Sequence, residues 1–248
     1  MRRKARQASK PENRPRFWGR HAVSAALANP EREVVRIWAT REAAAMFDLP
    51  KEVPVTFADA ADLARHVPRD APHQGIVAEV ERLPDILLAE LLDSAEDGRP
   101  LLILDHVTDP HNVGAILRSA AAFYALGIVT QDRHAPPESG ALAKSASGAL
   151  ETVPWVRVVN LARALDEIAE ASFWRIGLTG EAEMSLGEAL GPQRVALVLG
   201  AEGEGMRPNT QAHCDALARL PISDRIESLN VSNAAAVALY AARVATGR

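Results

Sequence analysis

The sequence predicts an α/β protein in which a parallel-sheet domain follows a small α/β domain. Three patterns predict it. From residue 98 onward, short apolar strands alternate with helical stretches, the order that builds a parallel sheet covered on both faces. Several of those strands, Pro100-Leu-Leu-Ile-Leu-Asp105 and Val195-Ala-Leu-Val-Leu-Gly200 above all, are apolar at consecutive positions, as strands buried on both sides must be. Residues 18–80 repeat the alternation in shorter elements and end at a linker, 81–97, that carries Pro84.

In the small domain, Gly19 to Ala28 reads as a helix with Ala22, Val23, Ala26 and Leu27 on one face, closed by Asn29-Pro30. Strands are expected at Val34–Ala39, Val53–Phe57 and His73–Val80, with short helices at Arg41–Phe47 and Asp59–His66. In the larger domain, 98–248, strands are expected at Pro100–Asp105, Gly127–Thr130, Val153–Val158, Phe173–Leu178 and Val195–Gly200. Helices are expected at Val113–Leu126, Ser139–Ala146 and Leu161–Ala171. A last strand end, Ala218 to Ile222, runs through a loop into a helix from Asn230 to Ala245. That helix holds seven alanines and one charge, Arg243, so most of its faces are expected to be buried.

The chain has 248 residues, 48% hydrophobic and 24% charged, ordinary values for a globular protein. Its longest uncharged run, Ser228 to Ala242, is too short and too polar to span a bilayer. With a single cysteine, Cys214, and no signal-like segment, the expected compartment is the cytoplasm. His106 and His111 lie near Asp105 and Asp109, but no second ligand group matches them, so no metal is expected. Residues 1–16 carry seven Lys or Arg against Glu12, a local net of +6 that leaves −10 for the rest. A basic arm, 1–17, suits phosphate contact, and it also reads as a solvated terminus.

Three stretches carry chemistry. Asp109-Pro-His-Asn-Val-Gly-Ala-Ile-Leu-Arg-Ser-Ala120 joins a strand to a helix, where ligands of open parallel sheets bind. In it Asn112 reads as a helix cap or a site residue. Arg118, the only charge between His111 and Asp132, reads as a buried functional cation or one reaching to solvent. Leu199-Gly-Ala-Glu-Gly-Glu-Gly-Met-Arg-Pro208 has its glycines in the order Gly-x-x-Gly-x-Gly, and Leu220 stands where a dinucleotide fingerprint needs an acid. A Rossmann NAD site is therefore not expected. Leu220 to Tyr240 crowds Ser228, Asn230, Ser232 and Asn233 at the entry of the last helix, more than one cap requires.

Together these stretches resemble the three motifs of the SpoU (TrmH) family of RNA ribose methyltransferases, within the SPOUT class. The matching residues are Pro110-His-Asn-Val-Gly-Ala-Ile-Leu-Arg-Ser119, Leu199-Gly-Ala-Glu-Gly-Glu-Gly-Met206 and Leu220-Pro-Ile followed by Glu227-Ser-Leu-Asn-Val-Ser-Asn-Ala234. Trp18-Gly-Arg-His-Ala-Val and His73-Gln-Gly-Ile-Val resemble the ribosomal-protein-like RNA-binding domain of the branch that methylates a guanosine in large-subunit (23S) ribosomal RNA. The resemblance implies a C-terminal deep trefoil knot, a homodimer, and S-adenosylmethionine as methyl donor. It implies donor contacts at Gly200, Leu220 and Leu229, with Thr179 added as another strand-end residue.

The family's motif points to Arg118 as the base that deprotonates the ribose 2′-hydroxyl. The rival role is a fixed cation holding the substrate phosphate, with Glu202 or water taking the proton. By motif position Asn112, Glu202, Ser228 and Asn230 would orient Arg118 and the ribose, leaving Ser232 and Asn233 to cap the helix. Transfer-RNA ribose methylation and a non-catalytic ribosome-assembly factor are the alternatives. Asp224-Arg-Ile-Glu227 is more charged than the loop common in the family, which leaves substrate preference open.

Overall fold

A computed structural model describes residues 14–95 and 98–245. Most of the basic arm, residues 1–13, lies outside the described residues. Its end does not behave as an arm: Arg16–Trp18 forms strand β1, because Phe17 and Trp18 bury their rings. There follow α1 (Arg20–Ala28), β2 (Val34–Ala39), α2 (Arg41–Ala44), β3 (Val55–Phe57), α3 (Ala60–Ala64) and β4 (Ile76–Val80). They make a four-stranded sheet in the order β1-β4-β2-β3, with β4 antiparallel to both neighbours and β2 parallel to β3. Side-chain alternation gives it two apolar faces. Phe17, Ile37 and Ala78 share a core with Ala22, Val23 and Ala26 of α1, while Trp18, Val77 and Trp38 pack under Leu63 of α3.

The region expected to be a linker contains a helix, α4 (Leu88–Asp93), which buries Leu88, Leu91 and Leu92. Beyond it lie β5 (Leu101–Leu104), α5 (Pro110–Ala122), β6 (Gly127–Gln131), α6 (Gly140–Ala146), β7 (Trp155–Val158), α7 (Leu161–Glu170) and β8 (Phe173–Leu178). The chain ends with α8 (Leu186–Ala189), β9 (Arg194–Leu199), α9 (Pro208–Ala212), β10 (Ala216–Ala218) and α10 (Val231–Ala245). All strand pairs in this six-stranded sheet are parallel, in the order β10-β8-β9-β5-β6-β7. Successive residues of β5 explain the continuous apolar run. Leu102 and Leu104 enter one core with α5, α6 and α10, and Leu101 and Ile103 enter another with α4 and α7.

The chain moves outward from β5 through β6 to β7, then crosses to fill the other half, ending at the β10 edge. From there it turns back, so that α10 packs on α5 and β9. The last strand stops at Ala218, short of the expected Ile222, and Pro221 follows two residues past Arg219 with no amide hydrogen to extend a ladder. Helix α10 is not buried on most faces. Val231, Ala235, Ala238, Leu239 and Ala242 face the core, whereas Val237, Tyr240 and Val244 are exposed. Alanine is at home on either face of a helix, so a charge-free pattern does not itself require burial.

The two sheets share one core. Helix α6 is wedged between them: a Cβ at Gly140 would meet the Trp18 ring at 1.8 Å and the Arg16 carbonyl oxygen at 2.3 Å. Beside it the fully buried side chain of Arg32, from the loop after α1, donates to Glu138 at 2.6 Å, to Glu151 at 2.8 Å and to the Glu81 carbonyl at 2.8 Å. Burial works against its charge, yet the two carboxylates together hold its pKa above the usual arginine value. Replacing Arg32 by Ala would leave Glu138 and Glu151 without their cation, and removing one partner of a buried ion pair costs about 3–5 kcal/mol. Urea unfolding of Arg32→Ala at neutral pH is expected to show that loss; an unchanged midpoint would contradict it.

Candidate functional site

In an open parallel sheet a ligand crevice opens where neighbouring strands send their connections to opposite sides. Here β5 leads to β6 on one side and β9 leads toward β10 on the other. The loops after β5 and β9 therefore flank the crevice, and they carry two of the three motifs.

At the first, Asp109 caps α5, its carboxylate accepting from the amides of His111 and Asn112 at 3.2 Å, with Pro110 in the first turn. The cap being filled, the Asn112 side chain is free for other work. At the second, the chain folds on itself after β9, Ala201 and Gly205 exchanging backbone hydrogen bonds of 3.1 and 3.0 Å. A Cβ at Gly200 would meet the Gly205 carbonyl carbon at 2.1 Å, so its smallness serves the loop's own backbone first.

This fold brings Asn112, Glu202 and Asn230 together. One oxygen of the Glu202 carboxylate accepts from the side-chain amides of Asn230 and, at 3.4 Å, of Asn112, and from the Val231 amide at 3.3 Å. Asn230 also donates to the Asn112 side-chain oxygen at 3.0 Å. The carboxylate thus sits at the N-terminus of α10, where free amides and the helix dipole favour negative charge. The cap itself is Asn230, whose oxygen accepts from the Ser232 amide at 2.9 Å and its hydroxyl at 2.5 Å. This corrects the expectation that Ser232 and Asn233 cap the helix: Ser232 is the donor, and Asn233 is exposed.

Two expected members stand apart in the single chain. Ser228 is exposed and makes no hydrogen bond to the cluster among the described residues. Arg118 is exposed as well, the second of the two readings its sequence left open. Six residues past Asn112, it lies about 9 Å further along the helix and well round its circumference. The buried stripe of α5 is Val113, Ile116, Leu117 and Ala120, while Ala121 and Ala122 face outward. The uncharged neighbours of Arg118 are the buried Ile116, Leu117 and Ala120 of the core stripe and the outward Ala121 and Ala122, and Arg118 itself is not enclosed.

The remaining candidates line up at strand ends. Thr179 follows β8 and its amide donates to the Ala218 carbonyl at 3.0 Å; Gly200 follows β9; Leu220 follows β10 and is half-buried. The loop before α10 passes close by, the Glu227 carbonyl oxygen lying 3.7 Å from where a Cβ on Gly180 would be. The backbone groups of Leu220 and Leu229 enter no loop or turn hydrogen bond among the described residues. A rim of unengaged amides and carbonyls around apolar side chains fits a flat heteroaromatic ring and its polar edge.

Two features escaped the sequence reading. Asp105, fully buried at the end of β5, holds Arg207 through its amide at 3.0 Å and its guanidinium at 2.6 and 2.8 Å, which pins the far end of the Gly200 loop. The only local signal is an acid directly after an apolar strand. His106 follows in left-handed backbone, φ +60°, its ring 3.8 Å from that of His134. Desolvation, then the Arg207 cation and His134, hold its pKa below the usual imidazole value.

Comparison with known proteins places the chain in a family. The model of the SpoU rRNA methylase family matches residues 99–240, and that of the RNA 2′-O ribose methyltransferase substrate-binding domain matches 17–85. This chain belongs to the SpoU rRNA methylase family. It is 43% identical over 237 residues to the 23S rRNA (guanosine-2′-O-)-methyltransferase RlmB of Ralstonia nicotianae, covering 90% of this chain and 93% of that one. To RlmB of Pseudomonas syringae it is 38% identical over 237 residues, covering 92% and 94%. The SpoU methyltransferase AviRb of Streptomyces viridochromogenes, crystallised with AdoMet, shares the fold at a TM-score of 0.75 and 24% identity, covering 92% of this chain and 89% of that one.

Cys214, beside β8 and bonded to the Thr210 carbonyl at 3.4 Å, is no nucleophile of this site. Burial pushes its thiol up to about 11, with Arg175 opposing and Asp215 and Asp105 assisting. At pH 8 only about one thiol in a thousand is thiolate. Iodoacetamide should therefore alkylate the folded protein at least about tenfold more slowly than the urea-unfolded chain, whose thiol has pKa about 8.5. Equal rates would contradict this.

Proposed function

We propose that this chain methylates the 2′-hydroxyl of a guanosine ribose in 23S ribosomal RNA, using S-adenosylmethionine, as a cytoplasmic homodimer. The observation that carries the reading is the Asn112–Glu202–Asn230 cluster at the crevice beside the strand-end loops of Thr179, Gly200, Leu220 and Leu229. Names of the relatives, two of them RlmB, support the 23S guanosine over a transfer-RNA target. The division into a substrate-binding unit, 18–80, a linker, 81–97, and a methyltransferase unit, 98–248, is part of the same reading.

The donor supplies a sulfonium methyl, already electrophilic. The protein's task is then to align the ribose hydroxyl and to take its proton. Glu202 holds the two asparagine amides in fixed directions, so that Asn112 and Asn230 present polar groups of set orientation to a ribose. Ser228 joins from the loop that leads into Asn230. Arg118, with no ion pair among the described residues, is free to meet the substrate's phosphate and to serve as base beside it.

The homodimer is supported by an apolar surface on α5 and α10. Tyr124 and Tyr240 are 63% and 59% exposed, and Val237 and Val244 join them. Phe123 meets Tyr240 edge-on at 6.0 Å, and Arg243 lies over the Tyr124 ring at 4.7 Å. Such a patch on a solitary chain invites a partner, and the proposed partner is a second copy, which would also cover the solvent side of α5 where Arg118 stands.

Purified protein with labelled donor should methylate a 23S transcript and leave transfer RNA unlabelled; label in transfer RNA alone would replace the substrate assignment. Arg118→Ala is expected to lower turnover by about a thousandfold, the upper part of the range for losing a general base, with donor affinity within a few fold. Near-normal turnover would remove Arg118 from the mechanism. Tyr240→Glu should shift the protein toward monomer in sedimentation, and an unshifted dimer would place the interface elsewhere.

A further inference from the structure

The seam between the two sheets carries a row of side chains that begins at the candidate site and ends on the N-terminal unit. His111, next to Asn112 and exposed, meets the Ser145 hydroxyl of α6 through its Nδ1 at 3.1 Å. The neighbour of Ser145, Lys144, donates its ammonium to the Gln74 side-chain oxygen at 3.1 Å. The same oxygen accepts from the Arg20 amide at 3.0 Å, at the first turn of α1, where the Arg20 side chain is exposed. The row thus runs His111, Ser145, Lys144, Gln74, Arg20, with Arg118 two turns further along α5 from His111.

The row is held rigidly. At Gly114 a Cβ would meet the Leu142 carbonyl oxygen and the Ser145 Cβ, both at 2.6 Å, so α5 and α6 touch through backbone. On its other side α6 is pressed against β1 by Gly140. Gln74, in left-handed backbone at φ +54°, spends one oxygen on both the ammonium and the α1 amide. Lys144 therefore has a fixed position and keeps two of its three donors. Among the described residues none of Arg118, Lys144 and Arg20 forms an ion pair, although the chain beyond its arm nets −10. In an acidic protein, a cation held in position and two more left without carboxylates suit an external polyanion.

Resting on the reading of the chain as an RNA methyltransferase, we infer that the backbone of the substrate RNA crosses the seam along Lys144 and Arg20. These two cations would hold phosphates flanking the target nucleotide and deliver its ribose to Asn112 and Asn230. The seam would then serve as a ruler, setting the distance between the RNA element read by the N-terminal unit and the nucleotide that is methylated.

Taking away one cation that neutralises a phosphate lowers the slope of log affinity against log salt by about 0.7 on single-stranded and 0.9 on duplex nucleic acid. Full-length protein bearing Lys144→Gln with Arg20→Gln should bind a 23S transcript with a slope lower by about 1.4–1.8. Its KM for RNA should rise about tenfold at moderate salt, while turnover at saturating RNA and donor affinity stay as in the parent. Lys144→Arg alone, which keeps the charge, should leave the slope as in the parent. If the double variant does not fold, each single variant should lower the slope by about 0.7–0.9. A parent that methylates the transcript beside variants of unchanged slope overturns the seam path alone; a parent that methylates no RNA overturns the functional reading beneath it.

Discussion

One carboxylate joins what the chain keeps far apart. Glu202 draws on Asn112, 90 residues before it, and on Asn230 and Val231, nearly 30 residues after it. It sits where α10 presents free amides, so the helix dipole, the backbone donor and two side-chain donors converge on one charge. The start of the last helix is thereby fixed against the loops after β5 and β9, and the crevice between them acquires its polar floor. Without that charge the Asn230 amide would lose one of its two acceptors and the loop before α10 its anchor.

A second constraint works on the opposite side of α5. Two glycines let α6 touch α5 and β1 through backbone, and Arg32 closes the seam with two carboxylates from the methyltransferase side. A buried charge network of this kind contributes little net stability compared with apolar packing, but it penalises every arrangement in which one partner is missing. Its consequence here is orientation. The N-terminal sheet cannot swing on a linker as two beads on a string would, and the helix α4 within that linker adds its own apolar contacts.

The apolar outer face of α5 and α10 has the opposite character. Tyr124, Val237, Tyr240 and Val244 stay exposed, the tyrosine rings met by Phe123 and Arg243, and Arg118 on α5 is exposed as well.

The sequence by itself determined the sheet, because strand burial on both faces demands apolar residues at consecutive positions and little else meets that demand. It determined β8 and β2 to the residue and the order of the three motifs, because glycine, proline and capping residues act locally. It misjudged or left open what depends on partners distant in the chain. Arg118 was left open between burial and solvent and proved exposed; Ser232 looked like a cap, yet it donates to Asn230. The Arg16–Trp18 strand was hidden in a basic run, since charge outweighs two aromatic rings in any local average. Asp105 with Arg207 and Arg32 with Glu138 and Glu151 were invisible, because ion pairs across about a hundred residues leave no periodicity. Tertiary packing decided these, by choosing which polar groups lose water and must therefore find one another.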